Sequence, residues 1–255
     1  MLADFAHLCA RLKLQRQPKQ KNRLMQNGIK DQELMRYTEK GFKLDYLCEG
    51  SPIFQLKNNY TFSSDSIALA NFARPQIKDT DIVVDFASGS GIVGLEMIEQ
   101  VSPQKLIMVE MQPELSECSR LSAKFHKKAG VVKIEAVNET VQDYARHNKG
   151  SASVVLCNPP YFKLGAGDIS KNEKIALARH EIKLTLAELI FAAKEVLTSD
   201  GKFFMVHIKS RENEILRECA KCGFKVVRKQ YLSGGLERVL FECACRPLGR
   251  EPEQT

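Results

Sequence analysis

The sequence predicts an α/β fold in which an open, mostly parallel, doubly wound sheet of seven strands carries helices on its faces. Three observations support this prediction. From residue 82 onward, apolar segments of strand length alternate with segments of helical pattern, which is typical of parallel strands joined by crossover helices. A glycine-rich turn at 89–91 follows the first strand, and two prolines end the strand at 154–157. Proline lacks an N–H and cannot continue a sheet ladder, so the chain must turn there.

The seven strands are predicted at residues 82–86, 106–109, 131–137, 154–157, 202–208, 224–227 and 238–243. Helices are predicted at residues 92–99, 113–127, 185–197 and 212–221. Thr185 and Glu188 have the spacing of a capping box at the start of the third of these helices. Asp200-Gly201 is expected to end the same helix.

Before the sheet, short apolar segments at 44–48 and 53–56 are expected to pair as a hairpin. Ser64 or Asp65 is expected to cap the helix that follows. The length of 255 residues indicates one main domain with an appendage. The predicted organisation is a basic extension at 1–43, a main domain at 44–247 and a disordered tail at 248–255.

The positive charge is concentrated at the start of the chain. The formal net charge is +7, and residues 1–43 contain ten basic and four acidic residues. Charge of this kind is typical either of a solvated tail or of an arm that binds phosphates. Charge alone carries no specificity, so both interpretations stay open.

Membrane, secreted and metal-binding classes are disfavoured. No apolar run approaches the ~20 residues of a membrane-spanning helix, and the first ten residues lack the basic start of a signal peptide. The close cysteine pairs, Cys219 with Cys222 and Cys243 with Cys245, lack the matched loops of a zinc site and are interpreted as free thiols. We therefore expect a cytoplasmic protein without a metal.

The turn after the first strand of the sheet has the features of a nucleotide site. Gly89, Gly91 and Gly94 match G-x-G-x-x-G between a strand and a helix, and Glu110 ends the next strand. A glutamate there can accept two hydrogen bonds from ribose hydroxyls. The alternative is a tight turn beside an unrelated surface glutamate.

Asp85 distinguishes between adenosine cofactors. A dinucleotide site places its first glycine at the strand end, where pyrophosphate meets the helix N-terminus. Here Asp85 lies at that position, and three residues separate it from the first glycine, Gly89. Its carboxylate would repel pyrophosphate but could pair with an α-ammonium group. S-adenosylmethionine (SAM) carries both an ammonium and a ribose, so the spacing favours SAM over NAD.

The strand at 154–157 runs directly into Asn158-Pro159-Pro160-Tyr161. A rigid turn holds the Asn158 amide at the end of a buried strand, with an aromatic ring beside it. This combination suits a pocket for a flat ring that forms hydrogen bonds. The alternative is that Asn158 caps a turn while the aromatic residues wedge into the core.

Together these residues resemble the amino-group methyltransferases of the Rossmann-like class I SAM-dependent fold, whose target motif is [N/D/S]-P-P-[Y/F/W]. Three segments, 62–70, 158–163 and 176–181, more narrowly resemble the bacterial tRNA1(Val) adenine-N6 methyltransferase family. That family modifies the adenosine 3′ of the anticodon in valine tRNA. The resemblance covers roughly residues 40–245, and the first 40 residues have no clear counterpart in the family.

The resemblance implies a role for each matching residue. The expected cofactor-binding residues are Asp65, Asp85, Ala87, Gly89, Gly91, Glu110, Met111, Asn138, Glu139 and Asn158. Of these, either Asn138 or Glu139 would meet the cofactor adenine, and the family often has an acid at the first position. Asp65 would either close the cofactor pocket or simply cap its helix. The expected catalytic residues are Asn158, Pro159 and Tyr161, and the expected substrate contacts are Tyr161, Phe162, Lys163, Arg179 and His180.

The implied function is SAM-dependent methylation of the exocyclic N6 amine of an adenine in a tRNA anticodon loop. This chemistry needs neither a general base nor a metal, because the product ammonium loses its proton easily. Other candidates are a ribosomal RNA guanine-N2 methyltransferase, a protein glutamine-N5 methyltransferase, an NAD-dependent oxidoreductase and a catalytically silent RNA-binding module. We expect a monomer or a weak homodimer.

Overall fold

The computed structural model describes residues 33–34, 36–38, 41–57, 63–161, 184–233 and 236–245. The strands are β1 (Phe42–Tyr46), β2 (Pro52–Leu56), β3 (Ile82–Phe86), β4 (Lys105–Val109), β5 (Lys133–Val137), β6 (Ala152–Cys157), β7 (Leu197–Ile208), β8 (Phe224–Leu232) and β9 (Arg238–Cys245). The helices are α1 (Ser64–Ala73), α2 (Ile92–Ile98), α3 (Pro113–Phe125), α4 (Val141–His147), α5 (Leu186–Val196) and α6 (Glu212–Lys221). Short 3₁₀ turns follow α1 and β7, at Arg74–Gln76 and Lys209–Arg211.

The central sheet has seven strands in the order β5-β4-β3-β6-β7-β9-β8. Strands β3 to β7 pair in parallel, and β9 runs antiparallel between β7 and β8. The predicted mostly parallel, doubly wound sheet is therefore confirmed. Strands β4 and β5 lie on one side of β3, and the strands from β6 onward lie on the other side. Such a reversal opens a crevice at the carboxyl ends of the central strands, where ligands bind in sheets of this kind.

The core lies on both faces of the sheet, because successive side chains of a strand point to opposite sides. Val83 packs with Leu95 on the face covered by α1, α2 and α3. Val84 packs with Leu189 on the face covered by α4, α5 and α6. All four side chains are buried. Burial on both sides explains why the central strands are almost continuously apolar in the sequence.

The expected hairpin is confirmed, since β1 and β2 pair antiparallel. The capping box is also confirmed. The Glu188 carboxylate accepts from the Thr185 N–H at 2.8 Å, and the Thr185 hydroxyl accepts from the Glu188 N–H at 3.3 Å. Both bonds satisfy N–H groups that the first turn of α5 leaves without partners.

Two local predictions were wrong. Asp200-Gly201 does not end α5, because Leu197 is already extended, buried and paired with Ala152, so that β7 begins directly after Val196. Ser63, rather than Ser64 or Asp65, is the N-cap of α1, and its side chain makes no capping bond.

Helix α4 was not predicted from the sequence. It has only two turns, but Thr140 caps it by accepting from the Asp143 N–H at 3.0 Å. Thr140 and Asp143 have the spacing of a capping box, so the sequence does contain a signal for the start of this helix.

The cysteines of the described ranges are free thiols. The two close pairs meet in the fold, and Cys219 Sγ lies 3.8 Å from Cys243 Sγ. Over the same ranges, no group of three or more His, Cys, Asp or Glu side chains is arranged to hold a metal ion. No helix in the described part of the chain has the length and apolar character to cross a membrane. Most of the predicted extension at 1–43, and the whole tail at 248–255, lie outside the described residues.

Candidate active site

Polar residues collect at the carboxyl edge of the sheet. Asp85 is the penultimate residue of β3, and Glu110, Asn138 and Asn158 directly follow β4, β5 and β6. Because these strands are parallel and adjacent, the four side chains lie along one edge of the sheet. The sequence predicted this grouping from the position of each residue relative to its own strand.

The turn after β3 has a left-handed backbone at three positions. The φ angles are 49° at Ala87, 58° at Gly89 and 85° at Gly91. A Cβ on Gly91 would lie 2.5 Å from Met108 Sδ, so packing requires glycine there, whereas a Cβ on Gly89 would meet nothing within 4 Å. Gly89 therefore borders open space, as expected where a ligand approaches the backbone closely.

Asp85 is fully buried and only partly satisfied. Its Oδ2 accepts a hydrogen bond from the Gly94 N–H at 3.0 Å, while Oδ1 has no hydrogen-bond partner among the described residues. Burial raises the pKa of Asp85 to about 7; the bond from Gly94 opposes this rise and the charge of Glu110 adds to it. A buried acceptor without a donor costs about 1–3 kcal/mol. An ammonium group would supply both the missing donor and a compensating charge.

Ser88 lies in the same turn and was not among the predicted site residues. Its hydroxyl is buried and, within the part of the chain that the structure describes, has no hydrogen-bond partner, while its N–H donates to the Val109 carbonyl at 3.1 Å. Two unsatisfied polar atoms in one turn, beside the open space at Gly89, fit a polar ligand such as the amino acid end of SAM.

Glu110 shapes the turn as well as facing it. Its Oε2 accepts from the Gly89 N–H at 2.9 Å and its Oε1 accepts from the Gln112 N–H at 2.8 Å. Burial raises the pKa of Glu110, and the bonds from Gln112 and Gly89 oppose that rise. The Met111 N–H also bonds to this carboxylate, and because a carboxylate has about four acceptor sites, it can still accept from a ribose hydroxyl.

Asn138 holds the loop that follows β4. Its Nδ2 donates to the Glu110 carbonyl at 2.8 Å and to the Met111 carbonyl at 3.0 Å. Glu139 is exposed, and among the described residues its side chain makes no hydrogen bond to this loop. Of the two residues, Asn138 is therefore the one that holds the backbone of Glu110 and Met111 in place.

The Asn158 side chain is held by one contact with α1 and one with Tyr161. Its Nδ2 donates to Ser66 Oγ at 2.9 Å, and its Oδ1 accepts from the Tyr161 hydroxyl at 2.8 Å. Ser66 is buried, while Asn158 is only partly buried. This contact fixes the amide so that its carbonyl faces the aromatic residue. Ser66 was not among the predicted site residues.

Asp65 lies against the same motif. The Tyr161 hydroxyl is 3.0 Å from Asp65 Oδ2, and Arg238 Nε is 2.8 Å from Asp65 Oδ1, an ion pair whose alignment is not that of a hydrogen bond. Burial raises the pKa of Asp65, and Arg238 and Tyr161 partly oppose that rise. Asp65 thus contacts Tyr161 of the predicted target motif. It is not the N-cap of α1, and none of these bonds joins it to the Gly89 turn.

His207 and Arg211 support Tyr161 from β7 and the 3₁₀ turn that follows it. The His207 ring centroid is 5.2 Å from that of Tyr161, and an Arg211 N–H donates to the Tyr161 carbonyl at 3.3 Å. Burial, together with the charge of Arg211, lowers the pKa of His207 to about 3, so the imidazole is neutral. Its Nδ1 accepts from the Ile208 N–H at 2.9 Å. Because His207 lies inside an apolar strand segment, no sequence signal indicated it.

Four predicted substrate contacts lie outside the described residues. They are Phe162, Lys163, Arg179 and His180.

The chain is similar in sequence to known proteins over most of its length. The family model for the methyltransferase small domain matches residues 64–229. A tRNA1(Val) (adenine(37)-N6)-methyltransferase from Shewanella baltica is 28% identical over 187 residues, which cover 71% of this chain and 72% of the relative. The protein of the same description from Photobacterium profundum is 22% identical over 197 residues, covering 75% of this chain and 80% of the relative.

A solved structure supports the fold. TYW2 from M. jannaschii, crystallised in complex with AdoMet, superposes with a TM-score of 0.56 and covers 82% of this chain and 87% of its own. The sequence identity is 14%, so the likeness establishes the architecture alone, since one fold hosts many activities.

Proposed function

This chain belongs to the methyltransferase small domain family, and on that premise we propose that it is a SAM-dependent methyltransferase acting on the N6 amine of an adenine in tRNA. The names of the relatives from Shewanella and Photobacterium support the choice of tRNA, of adenine and of position 37. The adenosine at that position lies 3′ of the anticodon. Residues 44–247 would form the catalytic domain, and the protein would act as a monomer or a weak homodimer.

The residues around the Gly89 turn would hold SAM. Asp85 offers Oδ1 to the α-ammonium group, and the open space at Gly89 leaves room for the methionine end, with the backbone of Ala87 and Gly91 on either side of it. Glu110 would receive the ribose hydroxyls. Met111 would pack on the adenine, with Asn138 or Glu139 at its edge. SAM supplies an electrophilic methyl group on its sulfonium.

The residues around Asn158 would hold the target amine. An exocyclic adenine amine is a poor nucleophile because its lone pair is delocalised into the ring. The Asn158 side-chain carbonyl and the Pro159 backbone carbonyl would accept its two hydrogens and favour a more tetrahedral nitrogen. Such contacts strengthen as charge develops on the nitrogen, so they stabilise the transition state more than the ground state.

The adenine would leave its stack to reach this pocket. Tyr161 would then stack on it, a contact worth about 1–3 kcal/mol. Bases of an anticodon loop are unstacked easily, which lowers the cost of extrusion. Phe162, Lys163, Arg179 and His180 would contact the RNA around the base, and the basic extension would add salt-sensitive affinity for phosphates.

One observation carries this proposal. An Asn158 amide with a fixed orientation lies at the end of β6, next to β3, where the buried Asp85 keeps an unsatisfied oxygen. A methyl donor bound through its ammonium and an amine bound through its hydrogens would therefore meet at neighbouring strand ends.

The test offers isotope-labelled SAM with total tRNA, total ribosomal RNA and a protein fraction separately, followed by nucleoside mapping. The expected result is label in tRNA alone, recovered as N6-methyladenosine at position 37. Label in ribosomal RNA as N2-methylguanosine, or in protein as methylated glutamine, would replace the proposed substrate with one of those two alternatives.

A further inference from the structure

The Tyr161 hydroxyl lies between two acceptors. It is 2.8 Å from Asn158 Oδ1 and 3.0 Å from Asp65 Oδ2. A phenol has one hydroxyl proton, and an ionised carboxylate has none. When Asp65 is ionised, Tyr161 can therefore donate to only one of the two oxygens at a time.

The orientation of the Asn158 amide makes this choice matter for the reaction. Because Nδ2 is bound to Ser66 Oγ at 2.9 Å, the carbonyl oxygen is the atom that faces Tyr161. The same oxygen is the proposed acceptor for the target amine. A hydroxyl that donates to it competes with the amine for its lone pairs.

The ion pair decides which acceptor receives the proton. Asp65 and Arg238 are largely buried, with side-chain exposures of 7% and 15%, and their charged atoms are 2.8 Å apart. Among the described residues, the groups that face the Asp65 carboxylate are Arg238 from β9 and Tyr161 from the segment after β6, and burial acts against its charge. A hydrogen bond to an ionised carboxylate is roughly twice as strong as one to a neutral amide. The ionised Asp65 therefore outcompetes Asn158 for the Tyr161 proton.

We infer that Asp65, kept ionised by Arg238, draws the Tyr161 hydroxyl proton away from Asn158 and so leaves the Asn158 carbonyl open to the target amine. Asp65 and Arg238 are then positioning residues, since neither needs to touch the substrate. The inference rests on the proposed function, in which Asn158 accepts a hydrogen of the amine.

A purely structural ion pair predicts something different. Such a pair would link α1 to β9 whatever the side chain at position 161, and buried ion pairs often add little net stability. The positioning role instead depends on the hydroxyl of Tyr161. It is therefore tested by removing that hydroxyl.

The experiment compares single-turnover methyl transfer by Asp65→Asn, Tyr161→Phe and the double variant, with SAM and tRNA saturating. We expect Asp65→Asn to slow transfer by about tenfold or more, with the SAM Kd changed less than about twofold. Tyr161→Phe in the Asp65→Asn background is expected to restore the rate to that of Tyr161→Phe alone, because no hydroxyl remains to compete. Losses that simply multiply in the double variant would overturn the inference.

Asp65→Asn leaves Arg238 as a buried cation without its carboxylate, so this variant can fail to fold. Asp65→Asn combined with Arg238→Gln replaces the charged pair with two neutral amides, and the same rescue by Tyr161→Phe is expected. A thermal melt of each variant shows whether Asp65→Asn alone is folded. If it is not, the rates are compared in the background that combines Asp65→Asn with Arg238→Gln.

A binding measurement gives a readout independent of turnover. Wild type is expected to bind an anticodon stem-loop with adenosine at the target position more tightly than one with purine riboside, which lacks the amine. Asp65→Asn should lose this preference and the double variant should regain it. A wild type that transfers methyl to adenine without this pattern overturns the inference alone, whereas a wild type inactive on every tRNA overturns the proposed function together with it.

Discussion

Asp85 and Gly94 are joined by a 3.0 Å hydrogen bond that uses one carboxylate oxygen, and no residue in the described ranges bonds to the other, which is buried. The bond ties the end of β3 to the first turn of α2. The remaining oxygen is the most direct indication of where a cation would bind, and it leads to the first prediction.

The affinity for SAM should depend on pH through Asp85. The raised pKa of about 7 means that the free protein holds Asp85 protonated below that pH. An ammonium ligand requires the ionised form. The Kd for SAM is therefore expected to increase by up to about tenfold for each pH unit below 7, and to increase again above about 8, where α-amino groups lose their proton. Isothermal titration between pH 5.5 and 9 measures this profile.

Asp85→Asn serves as the control for that profile. An amide does not titrate, so the acid side should become flat while the affinity at pH 7.5 falls. An acid side that is unchanged in Asp85→Asn would assign the dependence to another group.

Asn158→Ala should abolish methyl transfer while SAM binding persists. The substitution removes the proposed acceptor for the amine, and loss of one such contact typically costs about 10²–10³ in rate. The SAM Kd is expected to stay within about twofold of wild type. Quenched-flow transfer assays and isothermal titration measure the two quantities. The matched control is Asn148→Ala, which removes a side chain that donates to the Tyr144 carbonyl in α4. Turnover by Asn158→Ala near the wild-type rate would contradict the proposed mechanism.

Gly91 and Gly89 should respond differently to alanine. At Gly91 the new Cβ would clash with Met108 Sδ at 2.5 Å on a backbone with φ of 85°, so the free energy of unfolding should fall by about 2–4 kcal/mol. At Gly89 the Cβ enters open space, and only the left-handed backbone costs energy, about 1–2 kcal/mol. Urea denaturation measures both values.

The SAM Kd completes the comparison of the two glycines. Gly89→Ala is expected to weaken SAM binding more than its small loss of stability suggests, because the methyl group occupies the space proposed for the ligand. Equal SAM affinity in Gly89→Ala and wild type would remove the turn from the proposed cofactor site.

Removal of residues 1–30 should weaken tRNA binding and flatten its salt dependence without changing the SAM Kd. Each phosphate contact that is lost should reduce the slope of log K against log salt by about 0.7–0.9. Filter binding between 50 and 300 mM KCl measures the slope. An unchanged slope would mean that the extension is only a solvated tail.

The residues that could be predicted from the sequence are those that lie at the end of their own strand. Asp85, Glu110 and Asn158 could each be assigned because a strand end is visible in the residues beside them. Ser66 and Arg238 could not, because their contacts join distant parts of the chain: Ser66 meets Asn158 from 92 residues away. The pairing of α1 with the segment after β6 depends on how the layers pack, and no local pattern encodes it.

The contacts of Asp65 could not be predicted from the sequence either. Asp65 was predicted as a site residue because residues 62–70 resemble a family segment. Its contacts, Tyr161 and Arg238, come from elements far along the chain. Asp200-Gly201 was misassigned because the burial of Leu197 continues the chain directly into β7. In both cases tertiary packing overrode a local signal.

Glu110 has a consequence for how this site could change over evolutionary time. Its carboxylate holds the Gly89 and Gln112 backbones in place, and it is also the proposed ribose contact. A substitution toward another cofactor would therefore disturb the turn before any new ligand preference could be selected. Exchange of the cofactor would require an earlier change that supports the turn by other means.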